Sequence, residues 1–217
     1  MTSTTNATVP RYRLMQRLSH WIFVAAFLVL LLSGLALFVP AVSVWVASPT
    51  GRLAHRVGAV VLMLAPIFYL LTDRRGLGQL LHDSFTYDKD DIAWFKHFLP
   101  YAFGKARNLP PQGRINAGEK IHHAAVILGF LVISLTGLLL WFGEGVAPEA
   151  RLLTVMVHDL AMLGLAVLTV GHVFFVFVYG AFSGMWNGTV SELYARVEHP
   201  KWLAQMRAEG KVVTPKA

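Results

Sequence analysis

Two histidines inside one long apolar stretch, His158 and His172, are the residues whose type and spacing most directly suggest chemistry. The stretch 151–182 reads RLLTVMVHDLAMLGLAVLTVGHVFFVFVYGAF, longer than the roughly 20 residues a bilayer crossing needs. Fourteen residues separate the pair, which on a helix is a rise of about 21 Å and a rotation about 40° short of whole turns. Both imidazoles therefore point to nearly the same side, one toward each membrane face. An ionisable or metal-binding side chain in a spanning helix is costly and marks a functional candidate. Two of them at two depths suggest two haems stacked across a membrane. A lone histidine in an apolar helix is more often a hydrogen-bonded interior residue, so the rest of the chain must supply a partner at each depth.

Composition sets the class of the elements that position them. The 217 residues are 55% hydrophobic and 14% charged, with a mean hydropathy of +0.54, too apolar for an ordinary soluble domain and fitting one polytopic membrane domain. With no cysteine, disulfides, thiolate-held iron–sulfur clusters and thioether-attached c-type haem are excluded, which favours b-type haem. No cleavable signal peptide is evident, because the polar first ten residues lead into a long apolar run without a small-residue cleavage site.

Residues 1–10 read as a disordered, dispensable tail. Residues 11–182 read as a four-helix transmembrane domain, with helices at about 18–39, 51–72, 116–142 and 151–182, and 183–217 as a polar C-terminal tail with a helix near 190–197. Pro49 and Gly51 mark a short first connection, and Pro66 is expected to kink the second helix. Residues 76–114 are too polar to span. Their run FTYDKDDIAWFKHFLPYAF suits a short interfacial helix, with Trp94, Phe95, Phe98, Tyr101 and Phe103 on lipid or on a partner subunit. The expected fold class is thus an all-α membrane protein, four transmembrane helices in a bundle binding two b haems, with cytoplasmic interfacial helices.

Four crossings put both termini and the 73–120 connection on one side. That side carries Arg11, Arg13, Arg17, Arg74, Arg75 and the basic residues of 89–120, whereas the other holds only Arg52, Arg56 and Arg151. The positive-inside rule makes the termini cytoplasmic. It also accounts for the net charge of +7 by topology, so nucleic acid is not a partner.

Depth can now be matched. His20 opens the first helix and His172 lies toward the cytoplasmic end of the fourth; His55 opens the second from the outer side and His158 lies near the outer start of the fourth. Topology pairs His20 with His172 and His55 with His158. Two axial imidazoles make a six-coordinate haem suited to electron transfer. His122 rivals His20, which is favoured because it completes a two-deep set; His82, His97 and His199 read as solvent-facing or interfacial. Gly34, Gly58, Gly164 and Gly171 would let a flat macrocycle or a neighbouring backbone approach, the latter being ordinary membrane packing. Arg17, Arg52 and Arg56 stand near the histidines as propionate partners, with interface anchoring slightly ahead for each. Asn116, Gly118 and Glu119 border the cytoplasmic position and offer hydrogen-bond partners for a quinone, although the same pattern also makes a helix cap.

The fragments RLSHW, GRLAHRVG, GRINAGEK and EHPKW, with the His158 and His172 spacing, resemble the gamma, cytochrome b, subunit of membrane-bound respiratory formate dehydrogenases over nearly the whole chain beyond residue 10. The resemblance implies two b haems, His55 and His158 holding the periplasmic one and His20 and His172 the cytoplasmic one. It implies a bacterial inner-membrane location and an iron–sulfur beta subunit fed by a molybdenum- or tungsten-containing alpha subunit. It further implies menaquinone or ubiquinone reduction beside His172 and the 116–119 segment. In the family pattern glutamine occupies the position of Glu119. The alternatives are the cytochrome b subunit of a nickel–iron hydrogenase or other periplasmic oxidoreductase, and, from a different class, a haem-free anchor or proton conductor. A proton path would need polar residues through the midplane, where the 158–172 interval is almost wholly apolar.

Overall fold

Long runs of leucine, valine, alanine and phenylalanine form helices here because each closes its backbone hydrogen bonds internally, the condition for crossing lipid. The computed structural model describes residues 7–105 and 108–213. In chain order these form β1 (Thr8–Pro10), α1 (Leu14–Ala36), α2 (Pro40–Val46), α3 (Pro49–Thr72), α4 (Arg74–Phe85), α5 (Lys89–Trp94), α6 (Phe98–Ala102), α7 (Ala117–Phe142), α8 (Pro148–Val178), α9 (Phe182–Asn187), β2 (Thr189–Ser191), α10 (Glu192–Glu198) and α11 (Pro200–Ala208). Helices α1, α3, α7 and α8, of 23, 24, 26 and 31 residues, are each long and apolar enough to span a membrane. Few of their residues are buried inside the protein, and a helix apolar all round with so little protein cover is solvated by lipid.

The ends of these helices have local causes. The Ser48 hydroxyl accepts the amide of Gly51 at 3.2 Å and Pro49 takes the first turn of α3, so the second span starts two residues before the expected position 51. The first span is expected to reach 39 and stops at Ala36, followed by α2 within what reads as a plain connection. The fourth runs from Pro148 to Val178 rather than over 151–182, and Gly180, with φ of 73°, turns the chain after it.

The chain divides into two units. The first comprises residues 18–74 and 125–170, and small residues set its helix contacts. A Cβ on Gly58 would lie 3.3 Å from Leu30 and Val29, bringing α3 against α1. A Cβ on Gly129 would come within 2.8 Å of Leu165, bringing α7 against α8. Phe23 and Phe130 add a tilted aromatic pair at 6.1 Å between α1 and α7.

The second unit comprises residues 7–17, 75–124 and 171–213 among those described. Here β1 pairs antiparallel with β2, Val9 opposite Val190. Both valines sit in a core with Tyr194, Ala195, Trp202, Leu203 and Met206. A second core joins Trp94, Tyr101 and Ala117.

Four further expectations are corrected. Of the expected tail 1–10, residues 1–6 lie outside the described ones, but Ala7 and Val9 are buried and 8–10 form a strand, because this ribbon is what covers the apolar side of α10 and α11. Of the tail 183–217, residues 214–217 lie outside the described ones, while 182–208 fold into α9, β2, α10 and α11. His199 is fully buried rather than solvent-facing, held by the Gly113 carbonyl at 2.9 Å and the Tyr194 hydroxyl at 3.0 Å. The aromatic run 94–103 divides: Phe103 is 74% exposed, whereas Trp94 at the end of α5 and Tyr101 in α6 are buried within the protein.

Candidate functional site

His55 lies in the second turn of α3 and His158 about three turns into α8. Both line one cavity of about 400 Å³ in the first unit. Its walls are apolar, built from Leu30, Leu62, Ile133, Leu138 and Met162, and its polar members beside the histidines are Arg56, Ser134 and Asp159. Gly137 opens the wall beside His158: a Cβ there would stand 3.3 Å from Cε1 of the imidazole. The sequence pairing of His55 with His158 thus corresponds to two imidazoles on one cavity.

Each imidazole is held from behind by a hydroxyl on a neighbouring helix. Ser33 Oγ is 2.7 Å from Nδ1 of His55, and Thr136 Oγ1 is 2.9 Å from Nδ1 of His158. Neither hydroxyl was singled out in the sequence reading; the available signal was a polar residue in an otherwise apolar span. Arg56, the only one of the three candidate propionate partners on this cavity, stacks over Trp141 with its guanidinium carbon 5.1 Å from the ring centroid. Arg52 instead donates to the Ala47 carbonyl, and Arg17 to the carbonyls of Met185 and Trp186.

The donor set suits a metal already held in a plane by a macrocycle. A bare zinc ion takes about four protein ligands. Among the described residues no group of three or more histidine, cysteine or acidic side chains is arranged to hold one. Two imidazoles on an apolar cavity wall, an arginine at its edge and the Ser134 hydroxyl, which is buried with no hydrogen-bond partner, fit a flat, largely apolar group with charged substituents.

The remaining histidines divide between the units. His20 belongs to the unit of His55 and His158, its ring edge-on to Trp21 at 5.4 Å. His172 belongs to the other, where its ring stacks on that of His122 with centroids 4.9 Å apart and planes 11° apart. Rings stacked face to face do not aim nitrogens at a common atom, so His122 and His172 are not a ligand pair for one metal in this arrangement.

The 116–119 segment forms the helix cap that its pattern allows. Asn116 Oδ1 accepts the Glu119 amide at 2.9 Å and Glu119 Oε2 accepts the Asn116 amide at 2.7 Å, a reciprocal capping box at the start of α7. Glu119 also pairs with Arg11 at 3.4 Å. Gly118 lies under Trp94, whose Cη2 would be 2.9 Å from an added Cβ. Nearby, Tyr101 donates to Glu198 at 2.8 Å, and burial pushes the Glu198 carboxyl above its ordinary range.

Residues 11–188 match the family model described as prokaryotic cytochrome b561. The chain is 25% identical over 213 residues to the cytochrome b556(Fdn) subunit of the nitrate-inducible formate dehydrogenase of Escherichia coli K12, covering 94% of each. It is 25% identical over 209 residues to the formate dehydrogenase cytochrome b556(fdo) subunit of the same organism, covering 92% of this chain and 94% of that one. A formate dehydrogenase cytochrome b556 subunit of Haemophilus influenzae is 24% identical over 201 residues, covering 88% and 81%.

Proposed function

The chain belongs to the prokaryotic cytochrome b561 family, and we propose that within it this protein is the di-haem cytochrome b subunit of a formate dehydrogenase complex. The observation that carries the reading is the shared cavity of His55 and His158 in a four-span chain; the likeness to formate dehydrogenase subunits along nearly the full length supports the complex. His55 and His158 hold the haem nearer the outer face. His20 and His172, matched in depth by sequence, hold the one nearer the cytoplasm. A bis-imidazole haem supplies a one-electron couple with no open coordination position.

The chain's own residues do the rest. The apolar walls exclude water and Arg56 pairs with a propionate. The 14-residue spacing on α8 places the two ligands about 21 Å apart in depth. Electrons enter from an iron–sulfur beta subunit, served by a molybdenum- or tungsten-containing alpha subunit that oxidises formate. They leave to menaquinone or ubiquinone beside His172, Asn116, Gly118 and Glu119, with protons taken from the cytoplasmic side. Both termini and the short helices of the second unit lie on that side of a bacterial inner membrane.

The test is a pyridine haemochrome assay on the purified complex and on its His158→Ala and His172→Ala variants, followed by haem reduction with formate or with hydrogen. Two haems per chain, each lost or perturbed by a different substitution and reduced by formate, are expected. A haem-free, well-folded wild type would falsify the reading. Reduction by hydrogen alone would move the chain to a hydrogenase.

A further inference from the structure

The two hydroxyls behind the outer histidines share one geometry. Ser33 Oγ is 2.7 Å from the carbonyl oxygen of Val29, one turn back on its own helix, and Thr136 Oγ1 is 2.7 Å from that of Val132. Two acceptor oxygens that close repel unless a hydrogen lies between them, so each hydroxyl has its single proton committed to its own helix backbone. What remains toward the imidazole is an oxygen lone pair. The contacts of 2.7 Å to His55 Nδ1 and 2.9 Å to His158 Nδ1 therefore require the ring to donate. Each histidine is fixed as the Nδ1–H tautomer, which leaves its Nε2 lone pair free to coordinate.

We propose that Ser33 and Thr136 are positioning residues that fix the tautomer and ring plane of both outer axial ligands and thereby set that haem's reduction potential. The proposal rests on the reading of His55 and His158 as ligands. Histidine ligands characteristically donate their second nitrogen to an acceptor that orients the ring and raises its basicity. A carboxylate acceptor would do so more strongly, but it would bury an uncompensated charge in the bilayer. A hydroxyl already bound to its own helix is neutral and restricted in rotation. Gly137, against the Cε1 edge of His158, leaves room for this one ring plane. The same device recurs where Ser84 donates to the Leu80 carbonyl at 2.7 Å and contacts His123 Nδ1 at 3.1 Å. His123 does not line this cavity, so only the two outer histidines combine a fixed tautomer with access to it.

The experiment uses the purified complex with Ser33→Ala, Thr136→Val, both together, and the conservative Ser33→Thr and Thr136→Ser. Haem content, low-spin ferric electron paramagnetic resonance and redox titration are read on each. Removing the acceptors makes the imidazoles poorer donors to ferric iron. The double variant is therefore expected to raise the potential of one haem by about tenfold in its reduction constant, about 59 mV for one electron. Its g-values should shift while the other haem stays unchanged, and the conservative variants should restore both properties. Should the double variant yield no folded complex, each single substitution is expected to show a smaller shift in the same direction. Unchanged g-values and potentials in loaded variants overturn the proposal. The ligand reading fails separately if His158→Ala leaves the wild-type haem content and spectra intact, and the proposal falls with it.

Discussion

The guanidinium of Arg56 lies over the indole of Trp141, 5.1 Å from the ring centroid, and both side chains line the cavity that holds His55 and His158. The stacking keeps the cation beside the cavity near the C-terminal end of α7 while leaving its N–H groups available to an anion. In Arg56→Gln complexes the haem proposed for this cavity should wash out during detergent exchange several-fold faster than in wild type. Arg56→Lys should be intermediate, since a point charge lacks the planar fork. Haem-to-protein ratio against washing time measures both. Equal retention in all three would remove Arg56 from the site.

Gly137 leaves no room for a branched side chain beside His158. Gly137→Val is expected to displace the imidazole and shift the spectrum of the haem proposed for this cavity.

Gly118 under Trp94 is a packing constraint at the start of α7. Gly118→Ala should destabilise the second unit by about 1–3 kcal/mol, the usual cost of overpacking a filled core. Thermal unfolding followed by tryptophan fluorescence would show it. A Tm equal to wild type would mean that the Trp94 ring moves aside freely.

Val9, with no exposed surface, occupies the ribbon core opposite Val190. Val9→Ala should cost about 2 kcal/mol, from two lost methyl groups at roughly 0.8 kcal/mol each plus a cavity term. Proteolysis of the 183–213 region should accelerate accordingly. A variant as resistant as wild type would mean that the 8–10 strand is dispensable to this unit.

Burial, reinforced by the Arg11 cation, holds the His199 imidazole well below its ordinary range, so the folded protein resists its protonation. An unfolded histidine takes up a proton below about pH 6.5. The unfolded state then binds more protons, and stability falls as pH drops through that value. His199→Gln should flatten this acid-side loss. Glu198 has the opposite sign: its raised carboxyl keeps a proton that the unfolded chain releases, so its contribution declines as pH rises above about 4.3. Glu198→Gln should remove that decline. Denaturation midpoints across pH 4–8 separate the two, and parallel profiles for wild type and both variants would contradict them.

The four spans are legible in the chain's residues because apolar length is a local property, and so is the sharing of α8 by two histidines, because helix geometry converts a spacing of fourteen into a depth. The cap at Asn116 and Glu119 is legible there too, since a capping box is local. Which candidate arginine lines the cavity emerges from packing alone, because Arg17, Arg52 and Arg56 look alike until backbone carbonyls claim the first two. Only packing revealed Ser33 and Thr136, because a hydroxyl acquires a role when another helix brings an imidazole to it across 22 positions of sequence. The strand at 8–10 and the burial of His199 were likewise hidden. Three residues carry no readable period, and burial is conferred by segments nearly two hundred positions away, Val9 against Val190.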